Sequence, residues 1–247
     1  QMQQQKRQRD DTVKQMWARI DALTSTQEQR WPSQGATTFL TSAGSAAYFS
    51  EPETWFPHAL KALELAKGRV LDVGVGAGRH ALYLQSKGLE VVGIDNSPLA
   101  IEVAKERGVK DARVMSITAI DDSVGQFDTI TMMGNNFGLF GGFEQAQSIL
   151  RHFAEITSDD ALVIADSLNP YGTEDPVHLA YHQQNRENGR MSGQVRIRVR
   201  YRQYCGDYFD YLFASVEEVE TILISTGWHL QQTFGDTEGL YTLVLEK

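Results

Sequence analysis

Two aspartates and three glycines have the types and spacing of a nucleoside-binding site. Gly74, Gly76 and Gly78 alternate after an apolar run that contains Asp72, and Asp95 ends the next apolar run. Alternate glycines allow a sharp turn and leave no side chain between the backbone and a ligand. A carboxylate in the place of Asp95 can accept hydrogen bonds from both hydroxyls of a ribose. Asp72 suits a ligand that carries an ammonium group.

The residue after the third glycine separates two kinds of nucleotide ligand. A dinucleotide fingerprint needs G-x-G-x-x-G, whereas this chain has G-x-G-x-G with Arg79 in the sixth position. Over residues 68–247 the chain resembles the class I S-adenosylmethionine-dependent methyltransferases, whose first motif is an apolar strand with an acid followed by G-x-G-x-G. The run Asp95-Asn96-Ser97-Pro98 strengthens the resemblance. The alternatives are a dehydrogenase with a degenerate loop and an inactive relative.

The resemblance implies S-adenosylmethionine as the cofactor and a set of residues around it. Asp95 would hold the ribose and Asp72 the methionine ammonium. Where the family usually has an aspartate near the adenine, this chain has Ser116, which can contact the exocyclic amine only as a neutral partner. Ile117 would pack on the ring. The expected cofactor-binding residues are Asp72, Gly74, Gly76, Gly78, Arg79, Asp95, Asn96, Ser116, Ile117, Met133, Gly134 and Asn135.

Polar residues later in the chain are candidates for binding the acceptor. Asn136 follows the run whose end would face the methyl donor. His178 and His182 are one helical turn apart, a spacing that could bind a metal. The sequence offers no obvious third ligand, so we expect no metal. Contact with substrate, acceptance of a proton from the methylated nucleophile, and a plain surface position are the alternatives for the two histidines.

Arginines alternate with apolar residues over residues 195–202. On a strand this pattern places the arginines on one face and the apolar side chains on the other. Arg198 and Arg200 would then contact an anionic substrate or partner. The alternative is a half-buried strand whose charged face is solvated.

Strands and helices alternate through the middle of the chain. Apolar runs predict strands at 70–73, 91–95, 112–115, 129–133 and 162–165, with helices between them. This order predicts an α/β fold with a Rossmann-like, doubly wound, mostly parallel sheet, and places the ligand outside the carboxyl ends of the strands. The final pair of runs, residues 228–234 and 240–246, looks like the antiparallel C-terminal strand that closes the family's sheet.

Two segments stand outside this alternation. Residues 1–58 predict an N-terminal helical extension or cap, with apolar residues at helical spacing from Val13 to Leu23 and an irregular stretch over residues 35–50. The methyltransferase domain would span 59–247. It would contain a substrate-side insertion over about 169–214, in which residues 194–204 and 208–214 predict a β-hairpin.

Composition narrows the class of acceptor. The 247 residues carry a net charge of −9, which argues against a nucleic-acid substrate. The single cysteine excludes an intrachain disulfide and fits a reducing compartment, and no apolar run reaches membrane-spanning length. We expect a cytoplasmic enzyme, without a membrane partner, that methylates a small molecule. A homo-oligomer is compatible with the sequence, which assigns no catalytic residue. The alternatives are a protein or nucleic-acid methyltransferase and a non-catalytic methyltransferase-like binding subunit.

Overall fold

The structure is a computed structural model that describes residues 26–30, 37–41, 45–201, 204–205 and 207–247. Its strands are β1 Thr26–Arg30, β2 Thr37–Thr41, β3 Arg69–Val73, β4 Glu90–Asp95, β5 Asp111–Val114, β6 Phe127–Met132, β7 Thr157–Leu168, β8 Gln194–Tyr201, β9 Tyr204–Cys205, β10 Phe209–Leu212, β11 His229–Gly235 and β12 Leu240–Glu246. Its α-helices are α1 Pro57–Leu63, α2 Arg79–Ser86, α3 Pro98–Arg107, α4 Phe143–Glu155, α5 Pro176–Glu187 and α6 Val216–Leu223. Short 3₁₀ helices cover Ser45–Phe49, Pro52–Thr54, Ile117–Ala119, Asp122–Val124 and Asn136–Phe140.

Seven strands form the main sheet in the order β5-β4-β3-β6-β7-β12-β11. The pairs from β5 to β7 are parallel, and β12 is antiparallel to both β7 and β11. Helices α1, α2 and α3 pack on one face, and α4 and α6 pack on the other. Because both faces are covered, the central strands are almost continuous apolar runs. The predicted α/β sheet with its antiparallel C-terminal strand is confirmed.

The order of the strands reverses between β3 and β6. From β3 the chain builds outward through β4 and β5, and it then returns to place β6 and β7 on the other side of β3. In sheets of this kind, the loops at the carboxyl ends of the strands diverge at such a point and leave a crevice for a ligand. The loops after β3, β4 and β6 therefore define where the site should lie.

A second, antiparallel sheet has the order β10-β8-β1-β2, and β9 also pairs with β8. Strands β8 and β10 are the predicted hairpin, with Ile197 opposite Phe209. Strand β1 lies on the other edge of β8, with Glu28 opposite Arg198. The N-terminal extension and the insertion thus share one sheet.

The part of residues 1–58 that the structure describes differs from the predicted helical extension. Residues 37–41, predicted to be irregular, form β2, and Ser45–Phe49 is a 3₁₀ helix, so the described part of the extension before α1 is not a helical cap. The helix expected between Val13 and Leu23 lies outside the described residues. Strand β1, with the sequence TQEQR, lacks an apolar alternation, and it pairs both with β2 and with β8, which lies far along the chain.

The second sheet packs against α5 and against the loop that follows β6. Tyr181 of α5 packs on Val195 and Ile197 of β8. Tyr211 of β10 lies so close to Gly138 that a β-carbon at Gly138 would be 2.1 Å from its ring. Only glycine allows this approach, so the insertion is fitted directly onto the loop at the carboxyl end of β6.

No helix among the described residues is long and apolar enough to cross a membrane.

Candidate functional site

The glycine loop between β3 and α2 is fixed to the neighbouring strand. The backbone amides of Gly74 and Val75 both donate to the carbonyl of Ile94 at 2.9 Å. Gly74, Gly76 and Gly78 all have positive φ angles, from 52° to 80°. A β-carbon on Gly74 would lie 2.4 Å from Nδ2 of Asn136. The predicted tight turn is present, and it leaves the backbone bare on its cavity side.

Asp95 lies at the carboxyl end of β4, beside this loop. Its Oδ2 accepts a hydrogen bond from the amide of Gly76 at 3.0 Å, and its Oδ1 accepts one from the amide of Ser97 at 2.9 Å. Burial raises the pKa of Asp95, and these two hydrogen bonds act in the opposite direction. Each carboxylate oxygen keeps a lone pair, so Asp95 can hold the loop and still accept hydrogen bonds from a ligand.

Asp95 lines a cavity of about 200 Å³ together with several of the predicted nucleoside-side residues. Ser116 and Ile117 are on its wall, as are Asn96 and Leu139. The hydroxyl of Ser116 lies 3.0 Å from Oγ1 of Thr118 and accepts a hydrogen bond from the backbone amide of Thr118, and it thereby caps the 3₁₀ helix Ile117–Ala119. The structure thus brings the residues predicted for ribose and adenine to one cavity.

Asp72 is buried beneath the glycine loop. Its Oδ1 accepts a hydrogen bond from the hydroxyl of Thr131 at 2.9 Å, and its Oδ2 has no hydrogen-bond partner among the described residues. Burial raises the pKa of Asp72 to about 6, against the opposing effects of Thr131 and of the positive charge on Arg79. An unpartnered carboxylate oxygen next to the loop fits a cationic group of a ligand.

Arg79 connects the glycine loop to the segment before α1, and its contact with the cofactor stays a prediction. Its guanidinium donates to the carbonyl of Ala47 at 2.7 Å and to the hydroxyl of Ser50 at 3.1 Å. It also lies 5.8 Å from the centre of the Trp55 ring. Burial lowers the pKa of Arg79, while the charge of Asp166 favours its ionised form. Arg79 therefore ties the segment before α1 to the glycine loop.

These hydrogen bonds of Arg79 bring Tyr48 over the glycine loop. A β-carbon built on Gly76 would lie 3.6 Å from Cδ1 of Tyr48, in ordinary contact. Arg107 of α3 supports the same turn by donating to the carbonyls of Tyr48 and Ala77, at 3.3 and 2.6 Å. Nothing near Tyr48 in the sequence indicated this position, because the contact joins segments that are not neighbours in the chain.

The predicted run from Met133 to Asn135 lies at the carboxyl end of β6. The amide of Gly134 donates to Oδ2 of Asp166 at 2.8 Å, and the hydroxyl of Thr242 donates to Oδ1 of Asp166 at 2.6 Å. Burial raises the pKa of this carboxyl. Asn135 has a left-handed backbone, with φ of 67°, and its carbonyl accepts a hydrogen bond from the hydroxyl of Tyr211. These contacts fix the shape of the loop.

Asn136 connects this loop to the glycine loop. Its Nδ2 donates to the carbonyls of Val73 and Gly74, at 2.9 and 3.1 Å. Asn136 also lines the cavity beside Asp95 and the next cavity along. Its contact with an acceptor stays a prediction, because the structure uses its amide to hold the glycine loop.

Three cavities follow one another across the site. The first, beside Asp95, shares Tyr48, Gly74, Gly76 and Asn136 with a second cavity of about 230 Å³ over the glycine loop. The second shares Ala47, Arg79, His80 and Gly134 with a third cavity of about 410 Å³. The third is further lined by Trp55, Phe56, Asn135 and Asp166. Met133 lines the second cavity.

His80 was not among the predicted residues, although it follows Arg79 directly. It lines both the second and the third cavity, and its ring lies 4.7 Å from that of Trp55. Burial, and then the charge of Arg79, lower the pKa of His80 well below its usual value. The ring is thus neutral at pH 7. Asp166 was also missed, although its place near the carboxyl end of β7 is a recognised signal in sheets of this type.

Among the described side chains, the remaining residues that were predicted to bind the acceptor do not line these three cavities. His178 and His182 line a fourth cavity, beneath the insertion, that shares no lining residue with the three above. The guanidinium of Arg198 lies 4.7 Å from the centre of the Tyr208 ring, and Arg198 lines none of these four cavities. The side chain of Arg200 is outside the described part of the structure. Within the described residues, no group of three or more His, Cys, Asp or Glu side chains could hold a metal ion.

Comparison with known proteins supports the interpretation of the glycine loop as part of a methyltransferase. The family model of a methyltransferase domain matches residues 70–160. A solved structure of a SAM-dependent methyltransferase from Bacteroides fragilis, in complex with S-adenosyl-L-homocysteine, is 29% identical, with a TM-score of 0.71 and a coverage of 93% of each chain.

Curated relatives match over shorter stretches. The glycine/sarcosine N-methyltransferase of Halorhodospira halochloris is 27% identical over 120 residues, which are 46% of this chain and 45% of the relative. The tRNA (uracil(54)-C(5))-methyltransferase of Pyrococcus horikoshii is 36% identical over 87 residues, which are 32% of this chain and 20% of the relative. The matched part thus spans less than half the length of either relative.

Proposed function

Because the chain belongs to the class I S-adenosylmethionine-dependent methyltransferases, we propose that it transfers the methyl group of S-adenosylmethionine to a small-molecule acceptor. S-adenosylmethionine is the cofactor of this family. The observation that carries the proposal is the third cavity, which adjoins the glycine loop through four shared residues and has a volume of about 410 Å³. A cavity of this size suits a small molecule.

The residues around the glycine loop fit the cofactor. The cradle has no room for a β-carbon at Gly74, and the buried Oδ2 of Asp72 has no partner among the described residues. Asp95 would hold the ribose, Ile117 would lie against the adenine, and Asp72 would favour the methionine ammonium through its charge. When bound, the cofactor supplies an activated sulfonium methyl group, so positioning and exclusion of water can account for most of the acceleration.

The third cavity has features that can position an acceptor. Trp55 and Phe56 give it apolar walls, and Arg79 and Asp166 place buried charges on its lining. His80 faces both this cavity and the one over the glycine loop, and its ring is neutral at pH 7. A neutral imidazole can accept a hydrogen bond from the O–H or N–H group of an acceptor. We propose that His80 orients the acceptor in this way.

The proposal is tested in two steps. Calorimetry should show binding of S-adenosylmethionine and S-adenosylhomocysteine and no appreciable binding of NAD, since Arg79 occupies the position of the third fingerprint glycine. Purified protein is then incubated with donor carrying a labelled methyl group and with a small-metabolite extract, total RNA or a protein extract. Label in the metabolite fraction supports the proposal, and label confined to RNA or protein contradicts it. Asp95→Ala serves as the control with weakened donor binding.

His80→Gln separates acceptor orientation from donor binding. Glutamine keeps a hydrogen-bonding side chain but not the imidazole. We expect the affinity for S-adenosylhomocysteine to stay within about twofold and kcat to fall by about tenfold or more, because general base and orienting contacts act on the acceptor. An unchanged kcat with a folded variant would remove His80 from the proposal.

A further inference from the structure

The fourth cavity, beneath the insertion, has the features of a ligand site. Its volume is about 300 Å³, and it lies between α5, the start of β8 and the loop that joins β11 to β12. Leu168, Pro170, Val195 and Phe213 give it largely apolar walls. Within the part of the chain that the structure describes, no lysine or arginine lines it. It therefore favours a ligand with an apolar body and without a negative charge.

His182 supplies a polar atom that the protein itself does not use. It is only 8% exposed, and its ring nitrogens form no hydrogen bond with any residue in the described part of the chain. The Tyr171 ring lies edge-on to it at 5.9 Å. His178, one turn earlier, differs because its Nδ1 lies 3.0 Å from the hydroxyl of Thr173. The His182 nitrogens are not among the fully enclosed side-chain atoms without a partner, so they are open to the cavity and available to a ligand that enters it.

The protonation state of His182 limits what that partner can be. Burial lowers the pKa of His182, and the charges of Arg186 and His178 act in the same direction. The ring is therefore neutral at pH 7 and offers one hydrogen-bond donor and one acceptor. Glu238 also lines the cavity, and its backbone carbonyl lies close to Gly172.

We propose that this cavity binds a small uncharged molecule with a ring system that fills the apolar part and one polar atom that hydrogen-bonds to His182. Two sources can present this chemistry. The first is the distal part of the methyl acceptor, since Leu168 on this cavity pairs across the strands with Leu240 on the third cavity. The second is a separate ligand that binds beside the acceptor.

Phenol and toluene are matched probes, because they have the same ring and phenol carries a hydroxyl where toluene carries a methyl group. Histidine ring resonances in NMR spectra would be followed as each is added to the full-length protein. Phenol should shift the resonances of His182 and His178 and leave those of His229, exposed on β11, unchanged. Toluene should bind about tenfold more weakly, the expected cost of losing one hydrogen bond. Failure of both probes to move His182 at millimolar concentration would overturn the proposal.

Two variants test the same point independently. His182→Phe keeps an aromatic ring but removes the nitrogens, so it should lower the affinity for phenol to that for toluene and leave toluene unaffected. His178→Trp fills the cavity from a half-buried position and should remove binding of both probes. If phenol binds equally well to either variant and to the original protein, the probe occupies another place and the proposal is wrong.

Two further measurements identify the source and separate this inference from the proposed activity. Phenol recovered with an added methyl group identifies the cavity as part of the acceptor site, and bound phenol recovered unchanged identifies a separate ligand site; both support the cavity. Both variants should bind S-adenosylhomocysteine with unchanged affinity, because the donor cavities share no residue with this one. Absence of donor binding in the original protein would refute the proposed activity and leave the phenol result standing.

Discussion

Replacing Asp72 by asparagine should stabilise the free protein and weaken its binding of the methyl donor. The carboxyl is buried, and its pKa in the folded protein is about 6, against an ordinary value of 3.8. At about 1.4 kcal/mol per pH unit, this difference makes the ionised carboxylate cost about 3 kcal/mol of folding free energy at pH 7. Asparagine removes the charge and can still accept the hydrogen bond from Thr131.

The sign of the effect fixes its pH dependence. A carboxyl whose pKa is raised by folding holds its proton more tightly in the folded state, so its contribution to stability is fully present below about pH 4 and is lost as the pH rises to about 6. Urea denaturation between pH 4.5 and 8 should therefore show an advantage for Asp72→Asn that grows up to about pH 6 and then levels off at about 3 kcal/mol.

The affinity for the donor should fall in the same variant. The carboxylate favours the ammonium of the donor, so calorimetry at pH 7.5 should give about a tenfold higher Kd for S-adenosylhomocysteine with Asp72→Asn. In the original protein the affinity should also fall below about pH 6, where Asp72 becomes protonated, and in the variant this dependence should disappear.

Asp128→Asn is the matched control. Both oxygens of Asp128 accept hydrogen bonds, from the amide of Arg69 at 2.8 Å and from the hydroxyl of Ser158 at 2.9 Å. The same chemical change should lower stability there and leave donor binding unaltered. The reasoning about Asp72 fails if Asp72→Asn is less stable than the original protein at pH 7.5, or if its Kd for S-adenosylhomocysteine is unchanged.

Three other changes have definite expected outcomes. Asp95→Ala should raise the Kd for S-adenosylhomocysteine by at least tenfold in calorimetry. It should also lower the Tm, because the carboxylate accepts hydrogen bonds from two backbone amides. Equal affinity would exclude Asp95 from the site. Gly74→Ala should abolish measurable donor binding, because the φ of Gly74 is 74° and the new methyl group would lie 2.4 Å from Asn136. Gly88→Ala is its control, because Gly88 has a φ of 89° and open space around it. This change should cost only about 1–2 kcal/mol of stability in urea denaturation. Arg198→Gln should leave both donor affinity and the acceptor KM unchanged, and a large, salt-dependent rise in KM would bring Arg198 into the active site.

Local pattern accounts for the parts of the site that could be predicted. The strand, glycine turn and helix around Gly76 are adjacent in sequence, and Asp95 ends the next strand. Parallel strands bring their carboxyl ends to one edge, so a rule about topology places Asp95 beside the loop without any knowledge of tertiary contacts. The same rule could have identified Asp166 near the end of β7, where its carboxylate accepts the amide of Gly134.

Contacts between distant segments account for what was missed. The hydrogen bond from Arg79 to the carbonyl of Ala47 was not predicted, because it depends on where the N-terminal segment crosses the loop. Strand β1 is polar and short, and it pairs with β2 on one side and with the distant strand β8 on the other. The helical spacing of His178 and His182 was visible in the sequence, but the cavity they line is formed by five segments, at 168–173, 178–182, 193–195, 213 and 238–239.

The support of the loop after β6 has a consequence for the order in which the molecule can be assembled during synthesis. The amide of Gly134 is held by Asp166, and Asp166 is in turn held by Thr242 on β12. Strand β12 follows all other described strands in the chain, yet it lies inside the sheet, between β7 and β11. While β12 is still in the ribosome, Asp166 has only part of its support and one edge of β7 is open. A nascent chain should therefore acquire donor binding late, when β12 has emerged and closed the sheet.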